Sequence, residues 1–108
     1  MPLTTDFKQT VQSRLMRDAA YRRAMLREAI ECFLGGDVQT GKLLLRDFIN
    51  ATVGFGPLGR AMKRSPKSLM RMLGPKGNPQ AQNLFAIVRL LQQREGVRLR
   101  VRSVSEAA

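Results

Sequence analysis

Apolar positions recur every three or four residues through most of the chain, which is the spacing of amphipathic helices. Four long stretches have this period, and a pair of shorter ones lies between the third and the fourth. The pattern therefore predicts a mainly α-helical protein. The inward positions predicted for the long helices are Phe7, Val11 and Leu15; Tyr21, Met25, Ile30 and Phe33; Leu44, Leu45, Phe48 and Ile49; and Leu84, Ile87, Val88 and Leu91, with Phe85 in support.

Capping residues and glycines divide the periodic stretches into separate helices. Asp18 and Asp37 precede two of them, and Thr4 or Thr5 precedes the first, as N-caps do. Gly35-Gly36 and Gly96 follow the ends of helices, where glycine readily takes a left-handed conformation. Arginines 22, 23 and 27 are assigned to a solvated helix face in preference to a phosphate contact.

Residues 55–73 predict two short helices joined by a tight turn. Pro57 opens the first helix, and Leu58 and Met62 lie on one face of it. Ser65 and Pro66 are a strong signal for the start of the second. Leu69, Met72 and Leu73 then face inward, which leaves Lys67, Ser68, Met70 and Arg71 outside. This pattern fits a helix-turn-helix motif with its second helix in the DNA major groove, and it fits a plain helical hairpin equally well.

The distribution of charge favours the DNA-binding interpretation. The whole chain carries a net charge of +11. Residues 1–55 contain 8 lysines and arginines against 6 acidic residues, whereas residues 56–102 contain 11 against one. A solvated surface usually mixes the two signs, so this excess predicts a polyanionic partner.

After the helix pair, residues 74–79 (G-P-K-G-N-P) form a loop in which Lys76 either approaches a phosphate or simply faces water. Residues 97–102 alternate strictly between apolar and basic, the period of a β-strand. A lone strand needs a partner, and the simplest is the same strand of a second copy. Val97, Leu99 and Val101 would then form the dimer strand.

Composition excludes several other classes of protein. The chain has 108 residues, one cysteine (Cys32) and no histidine, so we expect no disulfide, no zinc site and no histidine-dependent catalysis. We expect no enzymatic activity and no cofactor. A membrane-spanning segment and a signal peptide are not expected either, which predicts a cytoplasmic protein.

Two segments resemble the putative addiction-module antidote proteins, which are bacterial helix-turn-helix antitoxins of the lambda-repressor-like class. These are N-A-T-V-G-F (residues 50–55) and S-P-K-S-L-M-R-M-L-G-P-K-G-N-P (residues 65–79). The resemblance covers residues 37–101. It implies a DNA-binding protein that represses its own operon and neutralises a co-encoded toxin. Two positions depart from the family pattern: Lys63 replaces the usual turn glycine, and Gln80 replaces a Thr or Ser cap.

By motif position, the resemblance implies that Ser65, Lys67, Ser68 and Arg71 face DNA. Of these, Arg71 and Lys67 are the candidates for reading guanine, because both donate to its O6 and N7 atoms. Arg60, Arg64 and Lys76 are the expected phosphate contacts.

The expected fold is a lambda-repressor-like helix-turn-helix domain of five or six helices with one short C-terminal β-strand. We expect residues 1–36 to pack as an N-terminal helical region on a DNA-binding domain at 37–103, with a frayed tail at 104–108. The expected function is that of a homodimeric regulator that binds a palindromic double-stranded operator, as the antitoxin of a toxin–antitoxin pair. The alternative is a protein-interaction module that chiefly binds a partner toxin. Sequence-independent nucleic-acid binding is disfavoured because the aromatic residues mostly fall on inward stripes.

Overall fold

The computed structural model describes residues 5–106, and in this part of the chain it is a bundle of helices without a β-strand. The prediction of a mainly α protein is confirmed. The helices are α1 (Thr5–Arg17), α2 (Ala19–Leu34), α3 (Val38–Ala51), α4 (Phe55–Met62), α5 (Pro66–Met72) and α6 (Ala81–Glu95).

The helix boundaries follow the capping signals of the sequence. Asp18 accepts a hydrogen bond from the Tyr21 N–H at 3.1 Å, and Asp37 accepts one from the Thr40 N–H at 3.2 Å. These bonds satisfy N–H groups that have no partner inside the helix. Gly36, the second residue after α2, takes a φ of 86°. The cap predicted at Thr4 lies outside the described residues, and α1 begins at Thr5.

The core forms where α1, α2 and α3 contact one another, most extensively between α2 and α3. Gly41 allows a close approach, because a Cβ there would lie 2.6 Å from Cε1 of the Phe33 ring. Leu26 and Ala29, which the pattern did not single out, are fully buried in α2. The remaining buried apolar residues are Leu15, Leu45, Phe48, Ile49, Ala51, Phe55, Leu58, Leu69, Leu73, Ile87, Val88 and Leu91.

Three predictions about individual side chains were wrong. Arg22 was assigned to a solvated face, but it is partly buried and its Nε lies 2.9 Å from Glu95 Oε2 at the end of α6. Its Nη1 also donates to the Leu15 carbonyl at 3.0 Å, so one side chain joins α1, α2 and α6. Phe7 and Phe85 were predicted to face inward, yet 52% of Phe7 and 65% of Phe85 are exposed.

The segment after α6 is held against that helix by its backbone. The N–H of Val97 donates to the Gln92 carbonyl at 3.1 Å, and the N–H of Leu99 donates to Gln92 Oε1 at 2.7 Å. Leu99 packs on the core. The predicted strand is not formed within this chain, because a single extended segment has no second segment with which to pair. No helix in the described residues is long and apolar enough to cross a bilayer.

Candidate nucleic-acid interface

The first helix of the predicted motif, α4, begins two residues earlier than the sequence suggested. Gly54, with a φ of 80°, is the N-cap, and Phe55 is buried as the first helical residue. Pro57 therefore lies inside the first turn, where its missing N–H costs no helical hydrogen bond. Leu58 is buried and Met62 half-buried on the same face, as predicted.

The turn after α4 is closed by a lysine in a left-handed conformation. Lys63 has φ 57° and ψ 44°, and it is the one non-glycine residue with positive φ in the described chain. The Lys63 N–H donates to the Arg60 carbonyl at 3.3 Å, and the Arg64 N–H donates to the Gly59 carbonyl at 2.9 Å. This pair of bonds is the Schellman arrangement that usually requires glycine at the left-handed position. The departure noted at Lys63 thus leaves the turn geometry intact.

Gly59 brings the start of α5 against α4. A Cβ at Gly59 would lie 2.5 Å from the carbonyl oxygen of Arg64 and 3.3 Å from the nitrogen of Pro66. This close approach is made by the backbone of the turn and by Pro66, the first residue of α5. It fixes the position of α5 relative to α4.

Helix α5 has the two faces that the sequence predicted. Ser65 is its N-cap, with Oγ accepting from the Ser68 N–H at 3.0 Å, and Pro66 is its first residue. Leu69 and the C-cap Leu73 are fully buried. The opposite face carries exposed Lys67, Met70 and Arg71, with Ser68 half-buried among them.

The loop at residues 74–79 folds back on the end of α5. A Cβ at Gly77 would overlap the carbonyl oxygens of Arg71 and Met72, so this position requires glycine for space. The structure thereby places the loop of Lys76 beside the helix of Arg71. Lys76 itself is exposed.

A buried lysine in α3 holds this loop, and the sequence patterns did not identify it. Lys42 is 1% exposed, and its Nζ donates to the carbonyl oxygens of Gly74 at 2.9 Å and Gly77 at 2.7 Å. One turn further along α3, Arg46 Nη1 lies 3.4 Å from the Leu73 carbonyl oxygen. A periodicity analysis assigns lysine to the surface, and the sequence signal for close packing at this point of α3 is the neighbouring Gly41.

The basic residues of the motif have no acidic partners among the described side chains. The ion pairs of this part of the chain are Arg14–Asp18, Arg22–Glu95 and Arg27–Glu31, so each takes its cation from α1 or α2. Glu95, the single acidic residue of residues 56–102, forms its ion pair with Arg22. The positive charge of Arg60, Lys67, Arg71 and Lys76 is consequently available to a polyanion.

Arg64 differs from the other predicted phosphate contacts. Its Nη2 donates to Asn83 Oδ1 at 2.9 Å, and Asn83 lies in the first turn of α6. The bond ties the turn before α5 to the next helix while the side chain stays exposed. Gln80, at the N-cap of α6, makes no side-chain capping bond, in agreement with the weak cap noted in the sequence.

The three residues of the predicted dimer strand have unlike environments. Val97 and Leu99 are half-buried against their own chain, whereas Val101 is 80% exposed. Beside them lies an open groove of about 690 Å³, which Val101 shares with Leu34, Phe85 and Val104. These four side chains are among the large apolar residues that are exposed.

The described residues contain no cluster of three or more metal-ligating side chains. Cys32 is half-buried as a free thiol. Burial chiefly, and the carboxylates of Asp37, Glu28 and Glu31 in addition, raise the pKa of this thiol. A raised pKa lowers the thiolate fraction and with it the reactivity of the sulfur.

Comparisons of this chain with protein-family models, with curated proteins and with solved structures found no match.

Proposed function

We propose that this protein is a sequence-specific DNA-binding regulator of the lambda-repressor-like helix-turn-helix class. The observation that carries the proposal is the outer face of α5: an exposed lysine and arginine without acidic partners, on a short helix whose other face is buried. In this proposal α5 enters the major groove, and α4 lies across the DNA backbone. A basic surface without acidic residues is attracted to the phosphates of any DNA sequence, and the side chains on α5 discriminate between base sequences.

Each basic side chain has a separate role in this proposal. Arg71 and Lys67 read base edges, with Arg71 favoured for guanine because its guanidinium donates two hydrogen bonds in one plane. Ser65 uses its oxygen to cap α5, so its hydroxyl hydrogen remains as a donor to phosphate. Ser68 contacts phosphate or base. Arg60, Arg64 and Lys76 contact the backbone and contribute affinity without sequence preference.

We propose further that two copies associate through the segment of Val97, Leu99 and Val101. The N–H groups of Val97 and Leu99 are already used within the chain, so strand pairing must use the backbone groups of the intervening arginines. The apolar groove beside the segment would be covered by the second copy. A two-fold dimer then reads a palindrome with half-sites about one helical turn apart.

Selection from a random duplex library at near-physiological salt tests the proposal. We expect recovery of a palindrome, and we expect Arg71→Ala to relax the preference at one base position per half-site. Arg23→Ala is the matched control, because Arg23 is an exposed arginine on α2 outside the proposed interface. It removes the same charge and should leave the selected sequence unchanged. An unaltered selected sequence with Arg71→Ala would refute the assignment of α5 as the recognition helix.

The antitoxin role rests on the resemblance of residues 50–55 and 65–79 to the antidote family. Its test is co-purification with the product of an adjacent reading frame. A complex that survives high salt, together with no selected DNA motif, would favour the alternative, in which the protein chiefly binds and neutralises a toxin. The exposed apolar side chains of the groove are the observation that favours this alternative.

A further inference from the structure

The ammonium group of Lys42 is a buried cation without an acidic partner among the described side chains. Its Nζ bonds are to two backbone carbonyl oxygens, those of Gly74 and Gly77. Removing an ammonium from water is costly, and carbonyl groups offset that cost less well than a carboxylate does. A leucine or methionine at this position of α3 would avoid that cost, but it would remove the donor to the Gly77 carbonyl oxygen. A side chain kept at such a cost is a candidate for a functional role.

The carbonyl groups that Lys42 holds belong to the proposed DNA interface. Gly74 follows the end of α5, where the last carbonyl groups of a helix have no partner within it and attract cations. Arg46 reaches the neighbouring Leu73 carbonyl from one turn along α3. Two cations of one helix therefore hold the last turn of α5 and the loop beyond it.

Lys76 lies between the two residues that Lys42 bonds. The same short loop is closed by the Gly77 N–H, which donates to the Gly74 carbonyl at 3.0 Å. At Gly77 the loop also packs against the carbonyl oxygens of Arg71 and Met72. Lys42 thus fixes the backbone on both sides of Lys76 while remaining out of reach of any ligand itself.

We propose that Lys42 is a positioning residue of the DNA interface, which sets the end of α5 and the Lys76 loop in the arrangement that binds DNA. This inference rests on the proposed function. Beyond that function, it assigns a role in DNA binding to a residue that cannot touch DNA. Arg46 assists at the Leu73 carbonyl.

The test compares Lys42→Met with Leu15→Ala. Methionine keeps the length and apolar character of the stem and removes the donors. Leu15→Ala destabilises the core from α1, a helix apart from the loop. DNA affinity is measured at low temperature across a series of salt concentrations, after circular dichroism has verified that each variant is folded. We expect Lys42→Met to weaken binding about tenfold, as the loss of one good base contact does, and Leu15→Ala to weaken it less than about twofold.

The salt dependence separates positioning from phosphate contact. Lys76→Met should reduce the slope by about one charge, and Lys42→Met should reduce it by no more than that, because the phosphate contact that its loss can displace is that of Lys76. A reduction of the slope by Lys42→Met that persists in a Lys76→Met background would overturn the proposal, because it would mean that Lys42 has a phosphate contact of its own. Equal losses of affinity with Lys42→Met and Leu15→Ala would also overturn it, because they would reduce Lys42 to a contributor to stability. Should Lys42→Met not fold, Arg46→Met is the milder variant, with an expected loss of about threefold at unchanged slope.

Amide hydrogen exchange tests the same inference without DNA. We expect the amides of Leu73 and Gly77 to exchange about tenfold faster in Lys42→Met than in Leu15→Ala. If the wild-type chain binds no DNA, the proposed function fails on that result alone. Faster exchange in Lys42→Met would still establish that Lys42 holds the loop, and unchanged exchange would refute the positioning role.

Discussion

Replacing Lys63 with glycine should stabilise the protein. An L-residue in the left-handed region costs about 1–2 kcal/mol, and Lys63 lies there with φ 57°. Glycine avoids this cost but loses about 0.5–1 kcal/mol more backbone entropy on folding. The net gain is about 0.5–1 kcal/mol. With an unfolding entropy of about 2.1 cal/mol/K per residue, this raises Tm by about 2–4 °C for a chain of this size.

Thermal unfolding followed by circular dichroism measures this gain, with two matched variants. Lys63→Ala removes the same charge but keeps a Cβ, so it should not stabilise. Gly96→Ala is the reverse experiment at the end of α6, where φ is 66° and the added Cβ would meet no atom of a residue distant in the chain within 4 Å. Because the site has space, any loss of stability there comes from the backbone conformation, and we expect about 0.5–1 kcal/mol.

The reasoning fails if Lys63→Gly is no more stable than Lys63→Ala. That result would mean that the turn relaxes to accommodate a Cβ, so that the left-handed conformation costs less than about 1 kcal/mol here. A stabilised Gly96→Ala would refute the argument from the other side, because the same conformational cost is invoked at both turns.

Four further predictions concern the helix caps at Ser65 and Asp37, the Arg22 ion pair and the Cys32 thiol. Ser65→Ala should cost about 1 kcal/mol and Ser65→Gly less, measured by urea unfolding, and equal costs would contradict a capping role. Glu95→Gln should cost about 2 kcal/mol, because it weakens charged hydrogen bonds to Arg22 that are largely buried, and the loss should shrink in an Arg22→Met background. Hydrogen bonds from the Thr40 side chain and backbone lower the pKa of Asp37 below its ordinary 3.8. The contribution of Asp37 to folding stability is therefore fully present above pH 3.8 and is lost as the pH falls through the folded-state pKa. Asp37→Asn should reduce this loss of stability in acid. Cys32 should react with iodoacetamide at pH 8 more slowly in the folded protein than in urea, because its pKa is raised, and equal rates would contradict this.

The parts of the fold that the sequence predicted correctly are those with local signals. The cap at Ser65 and the stops at Gly36 and Gly96 depend on residues within one helical turn, so short segments of sequence contain the whole cause. The faces of α5 were predicted for the same reason. A periodic pattern and a cap together determine which residues of a short helix are buried.

The parts that were missed depend on residues distant in the chain. Lys42 lies 32 and 35 residues from the carbonyls it bonds, and Arg22 lies 73 residues from Glu95. No local pattern distinguishes such a cation from one in water. Phe85 belongs to the apolar pattern of α6, but its exposure depends on what covers the groove beside it. A strand in the last segment requires a second chain, which a single sequence cannot supply.

The cations of this protein divide into two groups that the sequence alone does not separate. Arg22, Lys42 and Arg46 direct their charge inward, to a carboxylate or to carbonyl groups at the ends of other helices. The cations of residues 60–76 point outward and find no described carboxylate. Net charge counts both groups equally, but only the second group can neutralise phosphates and so release the counterions of a polyanion. The salt slope of DNA binding should therefore reflect the outward cations alone, while the inward cations determine whether those outward charges are held in a geometry that can bind.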